Sequence, residues 1–150
     1  MKVVVQRVTR ARVTVEGEEV GSCGYGMLVY LGVMRGDTGR EAQRLAERIA
    51  RFRFFGDAEG RMNLSALDVS GEALVISQFT LAADGRKGRR PSFDQAAAPE
   101  LAEPLYRRFV ELLQALGVPT RTGRFGASME VESTVLGPVT FSLEEPSGSA

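Results

Sequence analysis

The sequence predicts an α+β fold with a mostly antiparallel sheet and two main helices. β-rich segments occupy both ends of the chain, and two segments with helical periodicity lie between them. The elements do not alternate as a regular series of strand, helix and strand, which would indicate a parallel sheet covered on both faces. With 150 residues, 43% of them hydrophobic, the chain has the length and composition of one domain. We therefore predict a single domain over residues 1–150.

The amino-terminal part of the chain predicts strands. Residues 3–8 are rich in valine and predict an opening strand. Residues 12–15 alternate in polarity, and residues 16–19 offer a turn into Val20, which together predict a hairpin. Residues 27–33 are continuously apolar and bounded by glycines, so we expect a central strand that is buried on both faces.

Two helices are predicted from apolar spacing. The apolar stripe of the first helix has spacings of three and four residues and comprises Ala42, Leu45, Ala46, Ile49 and Ala50. Asp37 and Thr38 are both candidate caps for this helix. The second helix covers roughly residues 100–116 and stops at Gly117, where glycine favours a helix end. Pro104 is compatible with this helix only near its first turn.

The remaining segments predict short strands and a second hairpin. Residues 52–55 predict a short strand. Residues 130–135 alternate in polarity and residues 139–143 form a further β-rich run, so we expect them to pair through a turn at residues 136–138. Residues 144–150 predict a flexible tail.

Composition excludes several classes of chemistry. The chain has no histidine, so it has no imidazole base, no Ser-His-Asp triad and no histidine metal ligand. It also has no Gly-Lys-Ser/Thr phosphate loop. The sequence points to no cofactor and to no metal ligand set. Catalysis therefore has to come from carboxylates, hydroxyls, main-chain groups, an oxygen-bound metal or the substrate itself.

The sequence also predicts the compartment. No apolar run approaches the roughly 18 residues that a membrane span needs, and residues 1–7 lack the pattern of a signal peptide. The single Cys23 cannot form an internal disulfide, which agrees with a reducing environment, and we expect it to be a small packing residue. We therefore expect a cytoplasmic protein with no membrane partner.

Local charge is concentrated in one segment. Lysine plus arginine and aspartate plus glutamate each number 19, so the net charge of zero predicts no general attraction to polyanions. Four of the five residues 86–90 are nevertheless basic, and Gly88 and Pro91 keep the segment from continuing a helix. We predict an exposed basic loop. Its charges are either a solvated run or a phosphate contact surface, for which arginine is well suited.

A polar cluster follows an apolar strand. Residues 73–76 predict a buried strand that leads directly into Ser77, Gln78, Phe79 and Thr80. In one interpretation the strand simply reaches the surface at this point. In the other, Ser77, Gln78 and Thr80 line a pocket as hydrogen-bonding groups and Phe79 forms a wall. Thr80 is a conceivable nucleophile, but its hydroxyl has no histidine to activate it, so we favour a positioning role.

Two further stretches bear on a binding site. Residues 123–129 surround one aromatic and one thioether side chain with small residues, and glycines there let a flat ligand approach the main chain. At Leu136, Gly137 and Pro138 the local pattern favours an ordinary hairpin turn. Pattern alone does not choose the isomer of the Gly137–Pro138 bond, since only about 5 to 6% of X-Pro bonds are cis.

Taken in order, these stretches resemble one family, the D-aminoacyl-tRNA deacylases, also called D-tyrosyl-tRNA deacylases. The resemblance runs from Met1 to about Leu143. Its motifs are Val-Gln-Arg-Val at 5–8, Met-Asn at 62–63, Ser-Gln-Phe-Thr-Leu at 77–81, Gly-Arg-Arg-Pro-Ser-Phe at 88–93 and Gly-Pro-Val-Thr at 137–140. Each motif is weak alone, but their order and spacing are specific. The family often has Asn-Asp before Gly-Pro, where this chain has Val135 and Leu136.

The resemblance implies a barrel-like fold and a homodimer with its reaction site at the subunit interface. In the family, the Gly-Pro of one subunit enters the partner's pocket beside Ser-Gln-Phe-Thr. Carried over, Gly137 and Pro138 are joined by a cis peptide, and their carbonyls occupy the volume that an L side chain needs. L substrates are then rejected by clash. By the same resemblance Arg7 braces this turn, and Phe125 and Met129 shape the pocket.

The implied reaction is hydrolysis of the ester between a D-amino acid and the 3′-terminal ribose of tRNA. Ser77, Gln78, Phe79 and Thr80 form the implied catalytic segment, and the main-chain N–H groups of Phe79 and Thr80 are candidate oxyanion donors. The family is thought to use the ribose 2′-hydroxyl to help activate water, which suits a chain without histidine. Glycine has no side chain to clash, so we expect glycyl-tRNA to be a substrate too.

Two alternatives stay open. A proofreading relative with a trans Gly-Pro has a roomier pocket, which admits a small L-amino acid such as alanine. A non-catalytic RNA-binding module holds only a terminal adenosine in the pocket and grips phosphate through the basic loop. The tRNA-binding residues we predict are Arg86, Lys87, Arg89 and Arg90.

Overall fold

The computed structural model describes residues 1–148. In chain order the elements are β1 (Lys2–Val15), β2 (Glu18–Cys23), β3 (Gly26–Gly32), α1 (Gly39–Arg51), β4 (Phe55–Gly56), β5 (Met62–Leu64), β6 (Glu72–Ser77), a 3₁₀ helix (Phe79–Ala82), α2 (Pro99–Ala115), β7 (Thr120–Thr122) and β8 (Glu130–Glu144). The predicted α+β class with two main helices is confirmed.

The main sheet is mixed and curls toward a barrel. Its order is β2-β1-β3-β6-β7, and β8 pairs with β1. β1 is antiparallel to β2, β3 and β8, whereas β3, β6 and β7 run parallel to one another. β2 and β7 approach each other, since a Cβ built on Gly21 of β2 would lie 2.1 Å from the carbonyl oxygen of Thr122 in β7. The largely antiparallel, barrel-like sheet is thus confirmed, with a parallel part that sequence pattern did not predict.

The first hairpin forms where the sequence predicts it. Glu16 and Gly17 have positive φ angles of 51° and 81°, as expected for the two central residues of a tight hairpin turn. The predicted segments 3–8 and 12–15 belong to one continuous 14-residue strand, β1. A register shift between Val13 and Thr14 lets this long strand bend with the sheet.

The predicted second hairpin is wrong. Residues 130–135 and 139–143 both lie in β8, and both pair with β1 instead of with each other. The ladder is interrupted by register shifts opposite Val8 of β1, which accommodate the Gly137–Pro138 segment. Pro138 has no N–H to donate, and proline in sheets is confined to edge strands and bulges. The long edge of β1 therefore offers hydrogen bonds to both halves of a strand that looks locally like two.

The helices have the predicted spacing, with one correction. Thr38 caps α1 by accepting from the Arg40 N–H, and the Glu41 carboxylate accepts in return from the Thr38 N–H, 2.7 Å away. Pro104 lies in the second turn of α2, because this helix already begins at Pro99. Its ring is exposed, so water reaches the helix carbonyl that lacks an N–H partner. Neither α-helix within residues 1–148 is long and apolar enough to cross a membrane.

Alternating side chains place two clusters on the two faces of the sheet. On β3, Met27 and Val29 face the helices and join a large core with Leu45, Phe54 and Phe109. The intervening side chain of β3 points to the opposite face and joins a smaller cluster, which comprises Val8, Ala11, Val13, Cys23, Leu28, Leu74 and Ile76. Cys23 is buried there as a packing residue, and burial raises the pKa of its thiol to about 11.

The start of the predicted flexible tail, residues 144–150, makes contacts with the amino terminus. Glu144 ends β8, and the Glu145 N–H donates to the Met1 carbonyl over 2.9 Å. The buried amino group of Met1 donates to the Asp37 carboxylate and to the Glu145 carbonyl, each at 2.8 Å. A buried ammonium group requires such acceptors, so Glu145 and Asp37 together satisfy the Met1 amino group. Residues 149–150 of the predicted tail lie outside the described residues.

Candidate active site

A pocket of about 560 Å³ lies at the carboxyl ends of three parallel strands. Val33 follows β3, Ser77 ends β6, and Phe125 lies just beyond β7; all three residues line the pocket. The carboxyl ends of parallel strands meet at one edge of a sheet, which is where α/β proteins commonly bind ligands. The parallel part of the sheet therefore brings together segments that are far apart in the sequence.

The pocket is lined without charged side chains in the described part of the chain. Besides the apolar walls, the polar lining groups are those of Ser77 and Gln78 and the exposed main chain. Within residues 1–148, no three Cys, Asp or Glu side chains lie close enough to hold a metal ion. The pocket thus offers shape and neutral hydrogen-bonding groups to a ligand, and no formal charge.

The end of β6 turns sharply into the pocket rim. The Gln78 N–H donates to the Leu31 carbonyl over 2.8 Å, and the chain then enters the 3₁₀ helix. Gly32 permits this turn, because a Cβ there would lie 2.9 Å from the Leu81 Cβ and 3.1 Å from the Gln78 oxygen. Phe79 stands at the rim with 58% of its side chain exposed.

Two main-chain donors at this rim have no acceptor. The N–H groups of Phe79 and Thr80 open the 3₁₀ helix, and Gln78 provides no side-chain cap. Neither N–H makes a hydrogen bond to any group within residues 1–148. The first N–H groups of a helix are free to bind an external acceptor, including an anion. The Gln78 side-chain amide donates to the Thr80 hydroxyl, and Thr80 itself is exposed and does not line the pocket.

Phe125 and Met129 form another part of the pocket wall. A Cβ on Gly123 would lie 2.6 Å from the Met129 sulfur, so any side chain there would displace Met129 from its present position in the pocket wall. The Tyr106 ring packs against Phe125 with 5.8 Å between ring centres. Its hydroxyl donates to the Val75 carbonyl over 2.9 Å, and burial raises its pKa to about 12. Tyr106 therefore supports this wall as a neutral hydrogen-bonded group.

Gly137, Pro138 and Arg7 lie apart from the pocket of their own chain. The Gly137–Pro138 peptide bond is cis. Arg7 joins two segments there, since its Nε donates to the Leu136 carbonyl over 3.3 Å and its Nη1 to the Phe54 carbonyl over 3.2 Å. Gly137 has a φ of 126°, which L side chains rarely adopt. Both residues of the Gly-Pro pair are exposed, and within residues 1–148 neither lines the pocket.

The basic loop starts and ends near the rim. Asp84 and Ser92 close it through a pair of main-chain hydrogen bonds of 2.8 Å each. Arg86 is engaged with Asp84, whose pKa it holds down to about 2. Directly after the loop, the Phe93 ring packs edge-on against Phe79, with 5.2 Å between ring centres. The three other basic side chains, Lys87, Arg89 and Arg90, form no ion pair with the described part of the chain.

Sequence reasoning missed part of the pocket. Ala96, Ala97, Pro99 and Ala102 line it from the start of α2. Their common property is a small or rigid side chain that leaves volume free. The run of alanines before Pro99 was the available signal, but it does not distinguish a pocket wall from a loop.

Sequence comparison finds relatives that match nearly the whole chain. A profile of the family described as D-Tyr-tRNA(Tyr) deacylase matches residues 4–144. A D-aminoacyl-tRNA deacylase of Idiomarina loihiensis is 55% identical over 141 residues, which cover 94% of this chain and 97% of the relative. A protein of the same name from Symbiobacterium thermophilum is 56% identical over 144 residues, covering 96% of this chain and 95% of the relative.

Solved structures share the fold. One described as c-Myc DNA Unwinding Element Binding Protein is 42% identical, with a TM-score of 0.92 over 97% of this chain and 99% of that one. A probable eukaryotic D-amino acid tRNA deacylase is 17% identical, with a TM-score of 0.80 over 95% and 98% of the two chains, and shows the fold alone. From the profile match and the identity to these relatives, the chain belongs to the D-Tyr-tRNA(Tyr) deacylase family.

Proposed function

We propose that this chain is a D-aminoacyl-tRNA deacylase, which hydrolyses the ester between a D-amino acid and the 3′-terminal ribose of tRNA. The observation that carries the proposal is the uncharged pocket, whose lining includes Phe79 with an acceptor-free N–H, next to the equally acceptor-free N–H of Thr80. The names of the sequence relatives support the same substrate class. Since such a substrate is formed where tRNA is charged, we place the protein in the cytoplasm.

The two free donors serve as an oxyanion site. When water attacks the ester carbonyl, negative charge develops on the carbonyl oxygen, and preorganised donors stabilise that charge. Loss of one such donor costs other enzymes about 10²- to 10³-fold in kcat. The Ser77 and Gln78 side chains position the substrate, and the Thr80 hydroxyl holds the Gln78 amide.

A group of the substrate itself activates the attacking water. No ionisable side chain lines the pocket in the described residues, so no general base of the protein adjoins the ester. The ribose 2′-hydroxyl beside the ester is the nearest polar group of the substrate itself. Holding it and the water in a reactive orientation accounts for most of the rate enhancement, as positioning alone can contribute several kcal/mol, roughly 7 to 11 in favourable cases.

The selectivity for D over L substrates comes from a second copy of the chain. We assign Gly137 and Pro138 to the pocket of a partner subunit, where their main chain fills the volume an L side chain needs. Two features support this assignment. The pair is exposed and absent from its own chain's pocket, and the two carbonyl contacts of Arg7 stiffen the segment that has to act as a wall. Glycine escapes the clash, so glycyl-tRNA is also hydrolysed.

The basic loop completes the substrate contacts. Lys87, Arg89 and Arg90 are free to bind phosphate, while Arg86 first has to leave Asp84. The Phe79–Phe93 contact fixes the end of the loop at the pocket rim. The RNA chain attached to a bound acyl group would therefore pass within reach of these residues.

The name of the 42%-identical structure points instead to DNA binding. A binder of duplex backbone needs a charged surface and has no use for an uncharged pocket of about 560 Å³. This observation favours the deacylase over the DNA binder, whereas turnover distinguishes it from the non-catalytic RNA module, which also uses the pocket. The isomer of the Gly137–Pro138 bond in a substrate-bound crystal would distinguish a D-aminoacyl-tRNA deacylase from the proofreading relative with a trans Gly-Pro, which accepts small L-amino acids.

The test is the deacylation rate of purified protein on D-tyrosyl-tRNA and L-tyrosyl-tRNA. We expect hydrolysis of the D form at least about 100-fold faster, because a clash worth about 3 kcal/mol corresponds to that ratio. Spontaneous hydrolysis without protein provides the baseline for both substrates. Equal rates for the two forms, or binding of tRNA without turnover, would contradict the proposal.

A further inference from the structure

A second groove, of about 610 Å³, adjoins the pocket. It lies between α2 and β7, and Phe125 contributes to both the groove and the pocket. Arg107 lines it from the helix side, and Arg121 and Arg124 line it from β7 and the residues that follow. The groove is therefore a basic channel that meets the candidate active site at one aromatic side chain.

The charge of this groove is only partly neutralised. Arg107 forms an ion pair of 2.7 Å with Glu103, and Glu111, the acidic residue of the groove, lies 3.7 Å from Arg108. The guanidinium groups of Arg121 and Arg124 are exposed, and neither forms an ion pair or hydrogen bond within residues 1–148. In a chain with no net charge, this is a local excess of positive charge.

The main chain that carries the two free arginines is well fixed. Arg121 pairs with Leu74 in the β6–β7 ladder, and the Gln114 side chain donates to the Thr120 carbonyl over 3.1 Å. The Arg124 carbonyl accepts from the Ala127 N–H over 3.2 Å, which closes the turn leading into the pocket wall. A ligand therefore meets the two guanidinium groups on a rigid edge that ends at the pocket.

We propose that this groove binds the phosphodiester backbone of the single-stranded 3′ end of the substrate RNA. The inference rests on the proposed function: Phe125 lines both the pocket and the groove, so the groove is a direct continuation of the pocket for the nucleotides that precede a bound acyl-nucleotide. Arginine matches phosphate with paired, charge-assisted hydrogen bonds. Arg121 and Arg124 bind phosphate directly, while Arg107, which is paired with Glu103, lines the helix side of the groove. This surface is separate from the basic loop of residues 86–90.

The test compares Arg121→Gln/Arg124→Gln with the wild type and with Arg51→Gln/Arg61→Gln. The control removes two exposed arginines that do not line the groove. We measure kcat and KM on D-tyrosyl-tRNA at several salt concentrations, the rate on the short ester D-tyrosyl-adenosine, and binding of uncharged tRNA. For the groove variant we expect KM on tRNA to rise about tenfold near physiological salt. The slope of log affinity against log salt should fall by about 1.4, at about 0.7 per phosphate contact.

The rate on the short ester should stay within about twofold, because that substrate carries no backbone to contact the groove. Unchanged KM and tRNA binding in the groove variant would overturn the inference, as would an equal loss on both substrates or the same loss in the control. If the wild type binds tRNA through these arginines but hydrolyses neither substrate, the proposed reaction fails and the groove assignment stands.

Discussion

The side chain of Thr80 acts without contacting the reacting atoms, whereas its main-chain N–H is one of the proposed oxyanion donors. Its hydroxyl accepts from the Gln78 amide, and it lies outside the pocket lining. Without a neighbouring base, this hydroxyl is a poor nucleophile. From the sequence we favoured a positioning role for Thr80 over a role as nucleophile. The contact with Gln78 identifies the Gln78 amide as the group that Thr80 positions.

Thr80→Ala should therefore retain most activity. Removing one neutral hydrogen bond that orients Gln78 costs about 1 kcal/mol, so we expect kcat on D-tyrosyl-tRNA to fall by less than about tenfold. Thr80→Ser, which keeps the hydroxyl, is the matched control and should behave as the wild type. Complete loss of turnover in Thr80→Ala with normal tRNA binding would indicate covalent catalysis by Thr80.

Glu41 makes the stability of α1 depend on pH. Its carboxylate is buried and accepts from the N–H and the hydroxyl of Thr38, each 2.7 Å away. The hydroxyl contact is the main reason that its pKa falls from 4.5 to about 2. A carboxyl whose pKa is lower in the folded state stabilises the fold above its unfolded pKa. That contribution is present above about pH 4.5 and is lost as the pH falls toward 2.

Glu41→Gln should be less stable than the wild type at pH 7, by about 1 kcal/mol, because the neutral amide can keep the capping geometry but accepts weaker hydrogen bonds than the carboxylate. The difference should shrink between pH 4.5 and pH 2, since the wild type loses this contribution there and the variant has none to lose. Urea unfolding at pH 7 and pH 3 measures this, with the exposed Glu47→Gln as control. A difference that is the same at both pH values would contradict the role of Glu41.

At the scale of elements, local sequence signals were sufficient to predict individual helices, but they were not sufficient to predict which strands pair. The apolar spacing of α1 and its cap at Thr38 involve neighbouring residues, so the sequence predicts them correctly. Gly137 and Pro138 have the chemistry of a turn, and this led to a wrong hairpin. Both halves of β8 pair with β1, whose partner choice depends on residues more than 100 positions away. Likewise, the parallel order of β3, β6 and β7 could not be inferred from any one strand.

Pro104 lies inside a helix, and its effect on the stability of that helix can be measured. It lies in the second turn of α2, is exposed, and leaves one helix carbonyl without a donor. Pro104→Ala should raise the free energy of unfolding, by up to about 3 kcal/mol, because alanine restores the donor and has the best helix propensity. Thermal unfolding measures the change, and Arg108→Ala at another exposed position of α2 is the control. An unchanged or lower midpoint would mean that α2 is bent to suit proline.

At the scale of the whole molecule, the candidate site could be predicted only in part. Ser77, Gln78 and Phe79, together with Phe125 and Met129, are brought into one pocket. The alanines that open its volume carry no chemistry, so they gave no signal in the sequence. Gly137, Pro138 and Arg7 lie elsewhere in their own chain. We infer that the site is completed by a second subunit, which makes it a property of the dimer.

The most direct test of this account uses mixed dimers. Ala102→Trp fills the pocket of its own chain from α2, and Pro138→Trp places a bulky ring in the partner's pocket, so each homodimer should be inactive. A dimer with one chain of each kind, purified through two different tags, contains one undamaged pocket facing one undamaged Gly137–Pro138. By twofold symmetry, we predict about half the wild-type rate per dimer on D-tyrosyl-tRNA, with L-tyrosyl-tRNA still rejected. A mixed dimer as inactive as its parents, or a wild type that is monomeric at working concentration, would contradict the account.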